Sequence, residues 1–233
     1  MGRYTPRDIL VLAVIAGLFI WYYGGRSFGS PLQFVLVIAA LVCAIAFHEF
    51  SHAFVALLLG DRTAQMLGRV SINPLRHLDL FGSLAFLLVG FGWGKPVPIN
   101  PYNMKSVPPL VGAAITALAG PTSNVVLAIL ATIPFRLDLL TRGSIESLFF
   151  QQLLTVNIAL AAFNFIPIPP LDGFSLARLV LPRNVSGWLE QYGMLVLLAL
   201  VFIPQFLGRQ YDILSQIMRP IQAVVQAIVF AAF

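Results

Sequence analysis

The chain is expected to be an all-α, polytopic membrane protein with about six transmembrane helices, and three observations carry that expectation. Hydrophobic residues make up 59% of the 233 positions and charged residues only 10%, more apolar surface than a water-soluble fold of this length can bury. Apolar runs recur at 9–23, 32–59, 108–135, 147–166, 188–207 and 213–233. Most approach the length that a helix rising about 1.5 Å per residue needs to cross a hydrocarbon core of roughly 30 Å. Between the runs the basic residues stand singly, as topology signals do, and no cluster of them suggests a nucleic-acid partner.

The first run follows Arg3 and Arg7, as a signal peptide would, but it lacks a small-residue cleavage site and ends in Trp21, Tyr22 and Tyr23. An aromatic belt of that kind fits a retained span. The second run carries Cys43, the single cysteine, so no internal disulfide can form. The connection 60–107 contains short β-branched stretches such as RVSIN, broken by Gly and Pro, which predict a small β-hairpin. Its apolar segment 80–92 is too short to span and reads as a re-entrant or interfacial piece. The fourth run ends in Pro167, Pro169 and Pro170 followed by Gly173. Prolines there remove backbone donors, so the chain must become irregular at or near membrane depth. The last run is interrupted near its start by Arg219 and Pro220.

With six spans, both termini share a side with residues 60–107. That side carries Arg3, Arg7, Arg62, Arg69, Arg76, Lys95, Lys105, Arg178 and Arg183, against Arg26, Arg136, Arg142 and Arg209 opposite. The excess of positive charge predicts a cytoplasmic N-terminus and a cytoplasmic 60–107 connection.

Within the second run, AIAFHEFSHAFVALLLG places His48, Glu49 and His52 in apolar surroundings. Ionisable groups inside a span cost several kcal/mol, roughly 2.5–3.5 for an Asp at the centre, and default to a functional reading. Histidines four apart share one helix face and can hold one ion, with Glu49 about a third of a turn away. In such an HExxH arrangement the metal lowers the pKa of a bound water towards about 7 and the glutamate takes its proton. A catalytic zinc usually takes a third protein ligand. His77, Asp79 and Asp172 are open candidates. Asp61 lies about 13 Å along the helix from His52, too far to reach the same ion, and reads as a solvated charge at a helix end.

FHEFSHA followed by NFIPIPPLDG resembles the site-2 protease family of intramembrane zinc metalloproteases, in its compact prokaryotic form. GRVSINPLRHLDLFGS, GWGKPVPINP and AGPTSN at 119–124 add to the resemblance, which covers roughly residues 35–182. It implies one membrane-embedded peptidase domain over 1–233, with a catalytic core at 32–182 and peripheral spans at 8–24, 187–207 and 212–233. It also implies one zinc ion held by His48, His52 and Asp172, Glu49 as general base, and Asn164 assisting at the substrate carbonyl or oxyanion. Expected substrates are single-pass membrane proteins cut within the lipid bilayer, in the prokaryotic cell membrane. Their helices hide carbonyls in hydrogen bonds and must unwind locally. Gly68, Arg69, Val70, Ser71, Ile72 and Asn73 are expected to pair with the unwound chain as an edge strand. No stretch matches the PDZ or nucleotide-sensing domains of some members, so those modes of regulation are not expected. The rival reading is a non-catalytic metal-binding membrane protein, either a pseudoprotease or a metal transporter.

Overall fold

The structure, a computed structural model, describes residues 30–79, 82 and 94–232. The expected first span and most of the 80–92 segment lie outside the described residues. The described chain forms α1 (Pro31–Leu58), α2 (Thr63–Met66), α3 (Pro109–Arg136), α4 (Ile145–Asn164), α5 (Asp172–Ala177), α6 (Arg183–Leu207) and α7 (Ile213–Ala231), with short 3-10 turns between. Among the described residues five helices are long and apolar enough to cross a membrane, namely α1, α3, α4, α6 and α7. They fall on the second to sixth apolar runs.

Local chemistry explains where the helices stop. Ser30 caps α1, its hydroxyl accepting the Gln33 N–H at 3.1 Å, and Pro31 sits in the first turn, where its missing N–H costs nothing. At the other end Gly60 adopts φ 108°. Asp61 N–H reaches back to Ala56 O at 2.9 Å and Gly60 N–H to Leu57 O at 3.0 Å, so the last carbonyls of α1 are satisfied. The same closure ends α3, where Asp138 takes φ 52° and Leu139 N–H bonds Pro134 O at 3.0 Å.

The core is a three-helix nucleus of α1, α3 and α4, with α5 packed on α3 and α7 packed on α4. Small residues make it possible. Ala40, Ala44, Ala53 and Ala56 of α1 and Ala114, Ala128 and Ala131 of α3 are almost fully buried, as is Ala161 of α4. In lipid no hydrophobic effect would draw apolar helices together, and close backbone approach through small residues with buried polar contacts would provide the attraction.

Within the connection 60–107, residues 68–73 depart from the expected strand. Residues 68–73 form turns, not a strand, and the one β-bridge among the described residues joins Leu78 to Gly94. Gly68 at φ 66° turns the chain there, and Ser71 N–H bonds the carbonyl of Arg69 two residues back at 2.9 Å. The β-branched residues of RVSIN therefore serve a compact loop: Val70 packs with Ala53, Ala64 and Val97 against the end of α1.

Candidate metal centre

α1 brings His48 and His52 one turn apart on its buried face, and the two Nε2 atoms lie 3.0 Å from each other. Asp172 opens α5, and its Oδ2 stands 3.1 Å from His48 Nε2 and 3.3 Å from His52 Nε2. The proline-broken end of α4 delivers that carboxylate. A Cβ on Gly173 would come within 2.3 Å of Phe165 O and 2.6 Å of Ile166 O. Only glycine lets α5 start against the end of α4, which accounts for the Asp-Gly pair. Gly120 of α3 has a parallel role: a Cβ there would lie 2.4 Å from His52 Nε2 and 2.6 Å from His48 Cε1, filling the space at the ring edges.

Hydrogen bonding dictates which ring nitrogens face the cluster. His52 Nδ1 lies 2.7 Å from the backbone carbonyl of Thr116, which can only accept, so this nitrogen carries the proton. His48 Nδ1 lies 2.7 Å from Asn124 Oδ1. The Asn124 amide donates both protons elsewhere, to Ala44 O at 3.2 Å and Asn157 Oδ1 at 2.8 Å, so its oxygen is the acceptor and His48 Nδ1 is also protonated. In the neutral rings both Nε2 atoms then present lone pairs to each other and to the buried Asp172 Oδ2.

Three electron-pair donors whose atoms all lie within 4.8 Å of one another repel unless a proton or a metal ion joins them. Ligands at about 2.0–2.2 Å from a tetrahedral zinc stand roughly 3.3–3.5 Å apart, close to the separations here. The donor set fits zinc, and the ring protons held by outer acceptors are the usual companions of metal-bound imidazoles.

Glu49 stands beside the cluster. Its Oε2 accepts the Val97 N–H at 3.0 Å, and a Cβ on Gly94 would lie 4.0 Å from Oε1. The segment making these contacts is clamped from behind. The buried Arg69 guanidinium donates to the carbonyls of Arg76, Lys95 and Pro96, while Lys95 N–H bonds His77 O at 2.7 Å.

Three relatives share the name "Putative zinc metalloprotease". YwhC of Bacillus subtilis is 35% identical over 180 residues, 72% of this chain and 80% of the relative. MJ0611 of Methanocaldococcus jannaschii is 32% identical over 174 residues, 73% of this chain and 83% of the relative. Rip2 of Mycobacterium tuberculosis H37Rv is 29% identical over 219 residues, 86% and 80% respectively. The chain belongs to this zinc metalloprotease family. No family model and no solved structure matches it.

In this family member the other residues singled out from sequence lie outside the donor cluster. Asn164 sits in the last turn of α4 and donates to Leu160 O at 2.9 Å. His77 is fully buried in the connection, its Nε2 2.5 Å from Ser71 O, and it is not part of the donor cluster. Asp79 accepts the Gly82 N–H at 2.8 Å. Asp61 is not solvated, contrary to expectation. It is 0% exposed and accepts from Thr63 N at 3.0 Å, Asn100 N at 2.7 Å and Asn103 Nδ2 at 3.1 Å. Burial would raise its pKa, but these donors outweigh burial and hold the carboxyl below its usual range. Among residues 68–73, Arg69 is an internal clamp and Ser71 O meets His77.

Sequence reading gave no role to Asn124, Asn157, Gly120 or the Thr116 carbonyl. Two amides inside apolar spans were the available signal, since intramembrane polar groups require partners. Nothing in the sequence pairs one span with another.

Proposed function

We propose that this chain is an intramembrane protease of the site-2 type, hydrolysing peptide bonds in the transmembrane segments of membrane-tethered substrates. The observation that carries the reading is the convergence of His48, His52 and Asp172 within 4.8 Å, where both histidines stand on α1, a helix long and apolar enough to span a bilayer, and Asp172 opens the short α5 that follows the proline-broken end of α4. Depth supports it too. His48 and His52 precede the end of α1 at Leu58 by ten and six residues, about 15 and 9 Å along the axis, well inside the span.

His48, His52 and Asp172 would hold one zinc ion. When bound, the ion would supply Lewis acidity, polarising a water and a substrate carbonyl. Glu49 would take a proton from the attacking water and pass it to the leaving amide nitrogen as the C–N bond breaks. Its Oε2 is held by Val97 N–H, which leaves Oε1 for that transfer. Asn164, once released from Leu160 O, would donate to the developing oxyanion, an interaction strengthened in a dry site. Residues 68–73 would meet the unwound substrate through their outer edge while Arg69 stays inward. The chain would form one peptidase domain in the cell membrane, its N-terminus and 60–107 connection cytoplasmic.

The test uses purified protein in proteoliposomes with a single-pass substrate, following cleavage and bound zinc together. Glu49→Gln should keep its zinc and lose activity by a factor on the order of 10² or more, and chelation should abolish cleavage until zinc is restored. Undiminished cleavage by Glu49→Gln, or by protein stripped of metal, would refute the assignment.

A further inference from the structure

The two histidines are oriented by unlike devices. His52 Nδ1–H donates to a main-chain carbonyl, Thr116 O, which α3 itself holds in place. His48 Nδ1–H donates to a side chain, Asn124 Oδ1, at 2.7 Å. A primary amide can turn over and exchange its oxygen for its nitrogen. If Asn124 did so, it would present N–H to His48, the ring would have to accept at Nδ1 and carry its proton on Nε2, and the lone pair facing the cluster would be lost. Something must therefore hold this amide in one sense.

We infer that Asn157 is a positioning residue for the metal centre, acting through Asn124 to keep the His48 Nε2 lone pair directed at the ion. Asn157 lies on α4 and is 0% exposed, as is Asn124. Its own amide is fixed first: Nδ2 donates to Leu153 O at 2.8 Å, one turn back, so Oδ1 must face away from that carbonyl. Oδ1 then accepts from Asn124 Nδ2 at 2.8 Å, while the second Asn124 proton goes to Ala44 O at 3.2 Å on α1. With both donors committed to acceptors, the Asn124 oxygen has one direction left, towards His48. A turned Asn124 amide would set its oxygen against Asn157 Oδ1 and the Ala44 carbonyl, leaving acceptors unpaired in a dry interior, each at a cost of about 1–3 kcal/mol. The polarity of one helical carbonyl on α4 is thus carried through two amides to a ligand on α1.

This inference rests on the metal reading above, and the experiment separates the two. Zinc alone is titrated into the full-length, metal-stripped protein in detergent against a competing chelator, with thermal unfolding recorded for each variant. Asn124→Leu should weaken zinc binding by about 10–100-fold and Asn157→Leu by on the order of tenfold. Because Asn157 acts through Asn124, the double variant should match Asn124→Leu within about twofold. Asn157→Asp should bind zinc like the parent, since a buried carboxyl that keeps its proton supplies the same acceptor to Asn124 and the same donor to Leu153 O. A parent protein that binds no zinc refutes the metal reading itself. If the parent binds zinc, the relay alone is overturned by unchanged affinity in Asn157→Leu, by additive losses in the double variant, or by a folded Asn157→Asp that has lost affinity. The Asp variant keeps the test decisive if Asn157→Leu does not fold.

Discussion

Asp172 and His77 competed as third ligand because the chemistry of the side chains favours neither. An imidazole is the better donor by type, while a carboxylate offsets part of the zinc charge where the dielectric is low. Position separates them. Asp172 Oδ2 is within 3.3 Å of both motif imidazoles, whereas His77 directs Nε2 to Ser71 O and its carbonyl to Lys95 N–H. Asp172→Ala should lose both zinc and cleavage. His77→Ala should keep its zinc while losing cleavage in part, because the loop behind Glu49 slackens. Zinc per protein in the two purified variants checks this, and full occupancy in Asp172→Ala with depletion in His77→Ala would reverse the assignment. At Gly120 the space for a side chain is absent, since a Cβ would meet both histidine rings. Single-residue reading sees a glycine in a helix and no more.

At the scale of elements, the end of α1 and the connection 94–103 act as one unit. Glu49 accepts Val97 N–H and Asp61 accepts Asn100 N–H, so an extended segment runs beside the helix that carries the motif. Pro96 and Pro98 have no N–H to offer, and both carbonyls of Lys95 and Pro96 are taken by Arg69. The acidic anchor at Asp61 gives this unit a pH signature. Its folded-state pKa is depressed, so the stability it contributes is fully present above the unfolded value of about 3.9 and is lost as pH falls through the folded value. Asp61→Asn leaves an N–H facing the Asn100 donor and should cost about 1–3 kcal/mol near pH 7. The gap between parent and variant in thermal unfolding should close as pH falls below about 4. A gap that stays constant from neutral to acid pH would assign the loss to packing instead.

The whole molecule raises the question of orientation in the membrane. Arg62, Arg76, Lys95 and Lys105 lie on the connection after α1, while Arg142 lies between α3 and α4 at the opposite ends of those helices. Under the proposed membrane topology, the positive-inside rule predicts a cytoplasmic connection. In a Cys43→Ser background, a cysteine at Arg62 or Lys105 should resist an impermeant thiol reagent in intact cells, and one at Arg142 should react. The opposite labelling pattern would invert the molecule. Span positions were legible from hydropathy because the lipid core demands about 20 apolar residues of any helix that crosses it. The turns at 68–73 were not, because β-branched residues mark local preference and the loop is shaped by what it packs on.

Sequence alone determined the five described apolar helices, the pairing of His48 with His52, and Glu49 beside them, because each follows from spacing along one chain segment. Helical periodicity is a local property and needs no knowledge of neighbours. Tertiary structure decided what crosses between segments: Asp172 arriving from α5, the Asn157–Asn124 amide pair behind His48, the Thr116 carbonyl behind His52, and the buried role of Asp61. Those contacts span 33 to 120 or more positions in sequence where they join different helices, as with Asn157 to Asn124 and Asp172 to His52. No periodicity connects such residues; close packing of small side chains on α1, α3 and α4 brings them within hydrogen-bonding distance.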